Sequence, residues 1–200
     1  MNINKVYSEL LIKRFKKLLK KKGWTKFRDS SDKQIFFGLH DGQIGKLKCV
    51  FDVSLDRRLC ALLYLKREEY IPDEKRKMIA EYLAYANYGL LLGNFEIDLN
   101  DGEVRYKSCL PAGKAIGWVF SAIPSSKELL HVVDVAVHTV IRYFKGIEML
   151  LTEPSLSPRE ACDLVEDSQR LSTADIIEQI SRLPEEERRK IQQKLENNNS

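Results

Sequence analysis

Polar and apolar positions alternate with two different periods along this chain, and both are clearest between Ile71 and Leu110. Over residues 71–89, Met78, Ile79, Tyr82, Leu83, Tyr85 and Ala86 recur at helical spacing and form one apolar stripe. Pro72 suits the first helical position, and Asp73 and Glu74 meet the positive end of the helix dipole. Gly89 is placed to end the helix in a left-handed conformation. From Phe95 the period becomes two. Phe95, Ile97 and Leu99 alternate with Glu96 and Asp98; Val104, Tyr106 and Ser108 alternate with Glu103, Arg105 and Lys107. Asp101-Gly102 predicts a two-residue type I′ turn. That register sets Asp98 opposite Arg105 and Glu96 opposite Lys107 on the wet side, with Leu99 by Val104 and Ile97 by Tyr106 on the packed side.

The same two periods organise the rest. Residues 3–22 read as an amphipathic helix lined by Ile3, Val6, Tyr7, Leu10, Leu11, Phe15 and Leu18, with Gly23 as its C-terminal stop. A short hairpin follows, 24–29 against 34–39. After a loop at 40–43 comes a strand with Leu47, Cys49, Phe51, Val53 and Leu55 on one side. Leu59 to Leu65 is apolar on both sides, as a central strand is. Residues 114–124 read as a strand or a packed loop. Ser125 with Glu128 is a capping-box signature that opens a long helix to about residue 151, carrying Leu129, Val132, Val133, Ala136, Val137, Val140, Phe144, Ile147 and Leu151. Beyond Thr152 the helices are short and weakly apolar: one from Ser157, one over 173–183, one from Pro184. These elements predict an α+β fold, an antiparallel sheet flanked by helices, over residues 1–165, with an acidic helical tail over 166–200.

Charge divides in the same place. Up to Leu151 there are 26 basic and 18 acidic residues, a balance of +8; after it there are 7 and 11, a balance of −4. Seven of the ten residues from Lys13 to Lys22 are basic (Lys13, Arg14, Lys16, Lys17, Lys20, Lys21 and Lys22), more than a helix C-terminus uses, which makes them a candidate patch for an acidic partner or a polyanion. In the tail, Ile176, Ile177, Ile180 and Leu183 form a small stripe suited to docking. No apolar run is long enough to predict a membrane span, and the four cysteines lack CxxC spacing, so a cytoplasmic protein is expected.

The stretch Ala86-Asn87-Tyr88-Gly89-Leu90-Leu91-Leu92-Gly93-Asn94-Phe95-Glu96-Ile97-Asp98, with Asp101-Gly102-Glu103-Val104-Arg105-Tyr106, resembles the central signature of the YbjN family, described as bacterial sensory-transduction regulators. Tyr143-Phe144 and Ser157-Pro158-Arg159-Glu160-Ala161 look like its C-terminal features. The resemblance implies a fold similar to type III secretion chaperones, often dimeric, that binds protein segments and carries no catalytic residues.

Searching the residues for chemistry gives little against that. His131, Asp134 and His138 share one helical face, as metal ligands would, yet a polar stripe opposite the valines accounts for them, and no metal or cofactor is expected. Gly113-Lys114 lacks the glycine and hydroxyl residue of a phosphate loop, and no GxSxG occurs. The expectation is therefore a non-enzymatic, chaperone-like regulator that grips a partner protein through a sheet edge or a helix–sheet groove, with a homodimer left open. The competing reading is a nucleic-acid or anionic-surface binder that uses the basic first helix, which ends next to Trp24, Phe27 and Arg28, with Phe36, Phe37 and His40 on the following strands. A small-ligand sensor is neither supported nor excluded.

Overall fold

The computed structural model describes residues 3–24, 26–29, 34–42, 44–53, 60–111, 124–168, 181, 185, 188 and 189. The elements, in chain order, are α1 (Ile3–Lys21), β1 (Phe27–Asp29), β2 (Gln34–Asp41), β3 (Gly45–Asp52), β4 (Cys60–Arg67), a single 3₁₀ turn at Asp73–Lys75, α2 (Arg76–Tyr88), β5 (Asn94–Ile97), β6 (Val104–Pro111) and α3 (Ser126–Thr152). Residues 158–168 are helical as well. Two compact units divide the chain, Met1–Cys162 and Asp163–Ser200, and the sheet with α1 to α3 belongs to the first. The fold is α+β. Among the described residues, no helix is long and apolar enough to cross a membrane.

All six strands join one antiparallel sheet in the order β1-β2-β3-β4-β6-β5. Its registers line up one row of cross-strand partners from edge to edge: Phe27, Phe37, Cys49, Leu65, Tyr106 and Phe95. This is the core side. Phe15 of α1 stacks on Phe51 at 4.0 Å, and Phe95 meets Tyr143 and Phe144 of α3 at 5.6 and 5.8 Å. Such ring pairs add about 0.5–1.5 kcal/mol each beyond their buried area. Because successive side chains point to opposite faces, the next row points away from the helices: Arg28, Phe36, Val50, Tyr64, Lys107 and Asn94.

Local rules place the helix ends. Ser125 and Glu128 make the reciprocal capping box at α3. The chain leaves α1 through a Schellman motif: Trp24 N–H donates to the Leu19 carbonyl, Gly23 N–H to that of Lys20, and Gly23 has φ +77°. Ser157 and Glu160 repeat the capping box ahead of residues 158–168.

Three expectations are corrected. Among the described side chains of α1 the buried ones are Ser8, Leu11, Phe15, Leu18 and Leu19, while Leu10 is 40% exposed. The Ser8 hydroxyl donates to the Val53 carbonyl at 2.8 Å, so this polar residue anchors the inward stripe. Next, Gly89 caps α2 at φ −93°, and the left-handed residue is Gly93, four positions on.

The β5–β6 register is the third. It runs Phe95 to Tyr106, Glu96 to Arg105 and Ile97 to Val104, two residues from the predicted pairing. Asp98 and Glu103 close a four-residue loop: Asp98 N–H donates to Glu103 O, and Gly102 N–H to Asp98 O at 2.7 Å. Gly102 is needed at φ +84°, but as the last loop residue. Asp98 accepts from Asn100 N–H and Asp101 from Glu103 N–H, and the Gly102 carbonyl takes Ile71 N–H. A slip of two keeps every side chain on its predicted face, so burial could not choose between the registers; these loop bonds do.

Candidate interaction surface

The corner where α2 passes into β5 combines rigidity with exposed apolar area. Tyr88 is 96% exposed, Leu91 98% and Leu92 48%. Leaving a leucine-sized side chain in water forgoes about 1.5–3 kcal/mol relative to burying it, so a chain does not hold three together without a reason. The segment carrying them is tied at both ends. Leu90 N–H donates to the Asn87 carbonyl, and the Tyr106 hydroxyl donates to that of Leu92. Burial raises the Tyr106 pKa, and a weaker opposing contact from Thr139 does not reverse it, so the phenol keeps the proton it donates. Gly93 is required at φ +72°, because a Cβ there would stand 2.8 Å from the Lys107 carbonyl.

Asn87 does something the sequence did not announce. Its Oδ1 accepts from Phe95 N–H at 2.7 Å and its Nδ2 donates to Phe95 O at 3.0 Å. One side-chain amide thereby takes both outward backbone groups of Phe95, as a neighbouring strand would. β5 is the last strand of the sheet, and edge strands invite uncontrolled pairing unless something covers them. A strand added to β5 has to displace Asn87.

Beside this edge lies an open cavity of about 490 Å³ lined by Glu96, Ile97, Asp98, Leu99, Glu103 and Arg105. Its carboxylates are already engaged. Glu96 bonds Arg105 Nε at 2.7 Å and also Lys107; Glu103 bonds Lys66 at 2.8 Å; Asp98 bonds Asn100. Burial alone would raise the Glu96 carboxyl, but hydrogen bonds from Lys107, Arg105 and Asn94 outweigh it and hold the group below its ordinary value.

The seven basic residues between Lys13 and Lys22 separate into two sets. Arg14 donates to the Pro124 carbonyl at 2.8 Å, Lys16 pairs with Asp29, and Lys22 meets Asp134 at 3.1 Å. Lys13, Lys17, Lys20 and Lys21 are exposed and make no ion pair among the described residues. Positions 13, 17 and 20 share the helix face opposite the buried stripe. The apolar face of α1 is spent on the core, so these lysines can act only electrostatically.

His131, Asp134 and His138 are not arranged as a ligand set: His138 Nδ1 lies 2.7 Å from the Asp134 carbonyl of its own helix, and the Asp134 carboxylate is taken by Lys22. Cys49 is buried on the core side, and desolvation pushes its thiol up to about 12 against a lesser pull from the Leu39 backbone. The tail residues Ile176, Ile177, Ile180 and Leu183 lie outside the described residues.

Asn87, Tyr88, Leu91 and Leu92 are absent from the candidates that the sequence pattern picked out. Their signal was present as three leucines between Gly89 and Gly93 that follow neither period. No family model, no curated protein and no solved structure matches the chain.

Proposed function

We propose that this chain is a non-enzymatic, YbjN-like regulator of cytoplasmic proteins, related in architecture to secretion chaperones, which grips a partner protein at the α2–β5 corner. One observation carries the reading: an apolar trio, Tyr88, Leu91 and Leu92, displayed by a segment whose both ends are hydrogen-bonded in place. Preorganised apolar anchors of this kind dominate binding energy when a partner covers them. The engaged carboxylates of the neighbouring cavity favour a structural over a catalytic role. The test is capture from the native cell with the intact chain and with Leu91→Asp. A partner held by the intact chain at high salt and lost with the variant supports the reading. A partner held equally by both overturns it.

A polyanion-binding role for α1 is the second reading, favoured by four exposed lysines with no ion pair among the described residues. Retention on a polyanion column that survives Lys13→Gln/Lys17→Gln/Lys20→Gln/Lys21→Gln would dismiss it.

A further inference from the structure

The face of the sheet turned away from the helices has a composition that core packing does not call for. Its middle row places Phe36 on β2 and Tyr64 on β4, separated by Val50 on β3. Both rings are half-buried, and each lies under a guanidinium: Arg28 Cζ stands 5.6 Å from the Phe36 centroid and Arg105 Cζ 5.2 Å from that of Tyr64. Across the neighbouring row Lys48 pairs in register with Lys66, which pairs with Arg105. Like charges set directly opposite in a sheet are destabilising, so this array costs the fold something.

Its compensation is partial. Arg105 and Lys107 share the carboxylate of Glu96, and Lys66 shares Glu103 with Arg105, which reaches it at 3.6 Å. Lys48 reaches Glu68 only at 3.9 Å and is 60% exposed. Lys46 and Arg28 are exposed, with no carboxylate within ion-pair distance among the described residues.

We propose that this face binds single-stranded nucleic acid, with bases stacked on Phe36 and Tyr64 and phosphates held by Arg28, Lys46 and Lys48. The charge is of the right sign. The rings decide between a nucleic acid and an acidic peptide, because a flat π-face already tolerating a planar guanidinium takes a planar base equally well, and a carboxylate has no use for it. A base that displaces Arg28 from Phe36 frees that guanidinium for a phosphate. The open sheet admits an unpaired strand of any sequence, so little base preference is expected. This site is independent of the α2–β5 corner and of the α1 lysines.

The test uses the full chain and a labelled fifteen-nucleotide oligo(dT), followed by fluorescence anisotropy. Contact with three to four phosphates predicts that affinity falls roughly 20- to 50-fold between 50 and 200 mM salt. Phe36→Leu/Tyr64→Leu keeps an apolar side chain but removes both stacking surfaces, and should weaken binding about thirtyfold or more. Lys46→Gln/Lys48→Gln alters only exposed side chains, so it folds whether or not the ring variant does, and it should weaken binding and flatten the salt dependence. The quadruple glutamine variant of α1 should bind as the intact chain does. Absence of binding at 50 mM salt overturns the proposal. So does binding that only the α1 variant removes, or an oligoglutamate of equal length binding as tightly as the oligo(dT).

Discussion

Gly146 sits in the middle of α3 against Tyr82 of α2, and the sign of one substitution there tests how closely the two helices cross. On helix propensity alone Gly146→Ala should stabilise the chain by about 1 kcal/mol. The packing argues the other way. A Cβ at 146 would stand 2.6 Å from Tyr82 Cζ and 2.9 Å from Cε2, and closer still to the hydroxyl. Tyr82 cannot swing aside: it is fully buried, and its hydroxyl donates to the Tyr143 carbonyl at 2.7 Å. Overpacking of this sort costs about 1–3 kcal/mol, and more when the obstructing group is fixed. The clash is with three atoms of one immobile ring, so it takes the upper part of that range and outweighs the propensity gain. The net expectation is a loss of about 1–2 kcal/mol, which for a domain of this size lowers Tm by roughly 2–8 °C. Circular dichroism melts of the two chains measure it. An unchanged or higher Tm for Gly146→Ala would refute the crossing, and with it the support that α3 gives the α2–β5 corner.

Asn87→Ala should remove two hydrogen bonds from the sheet edge, at about 0.5–1.5 kcal/mol each. Hydrogen exchange should then show the Phe95 amide losing protection; an unaltered rate would mean that the clamp is not formed. Acid should weaken the β5–β6 pair through Glu96. Its carboxyl is held below the ordinary 4.5 in the fold, so its stabilising contribution is full above that value and disappears as pH falls through the lower folded one. Melts across acid pH should show a steeper loss for the intact chain than for Glu96→Gln, and parallel curves would dismiss the linkage. Among the thiols, Cys109 is exposed while Cys49 and Cys162 are buried. Alkylation near pH 8 followed by mass spectrometry should mark Cys109 in the native chain and Cys49 only after unfolding, since a thiol pushed up to about 12 has almost no thiolate there.

Local chemistry was legible from the residues alone. The capping box at Ser125, the glycine stop at Gly23, the sheet-facing sides of β3 and β6 and the central position of β4 follow from periods and end signals that act within a few residues. What those signals could not settle is any choice between arrangements of equal burial. Phe95 is buried whether it pairs with Tyr106 or slips by two, so the register waited on bonds from Asp98, Gly102 and Ile71 that no periodicity encodes. Ser8 points inward and Leu10 outward, and the partner of the Ser8 hydroxyl, the Val53 carbonyl, lies 45 residues away, beyond the reach of any local pattern. Tertiary structure alone set Asn87 against the edge of β5, displayed Leu91 to solvent, and drew Arg28, Phe36, Lys48, Tyr64 and Arg105 from five strands onto one face. Residues far apart in the chain become a surface only when the strand order brings them side by side, and that order depends on which edges pair, a property of the assembled sheet and of no single segment.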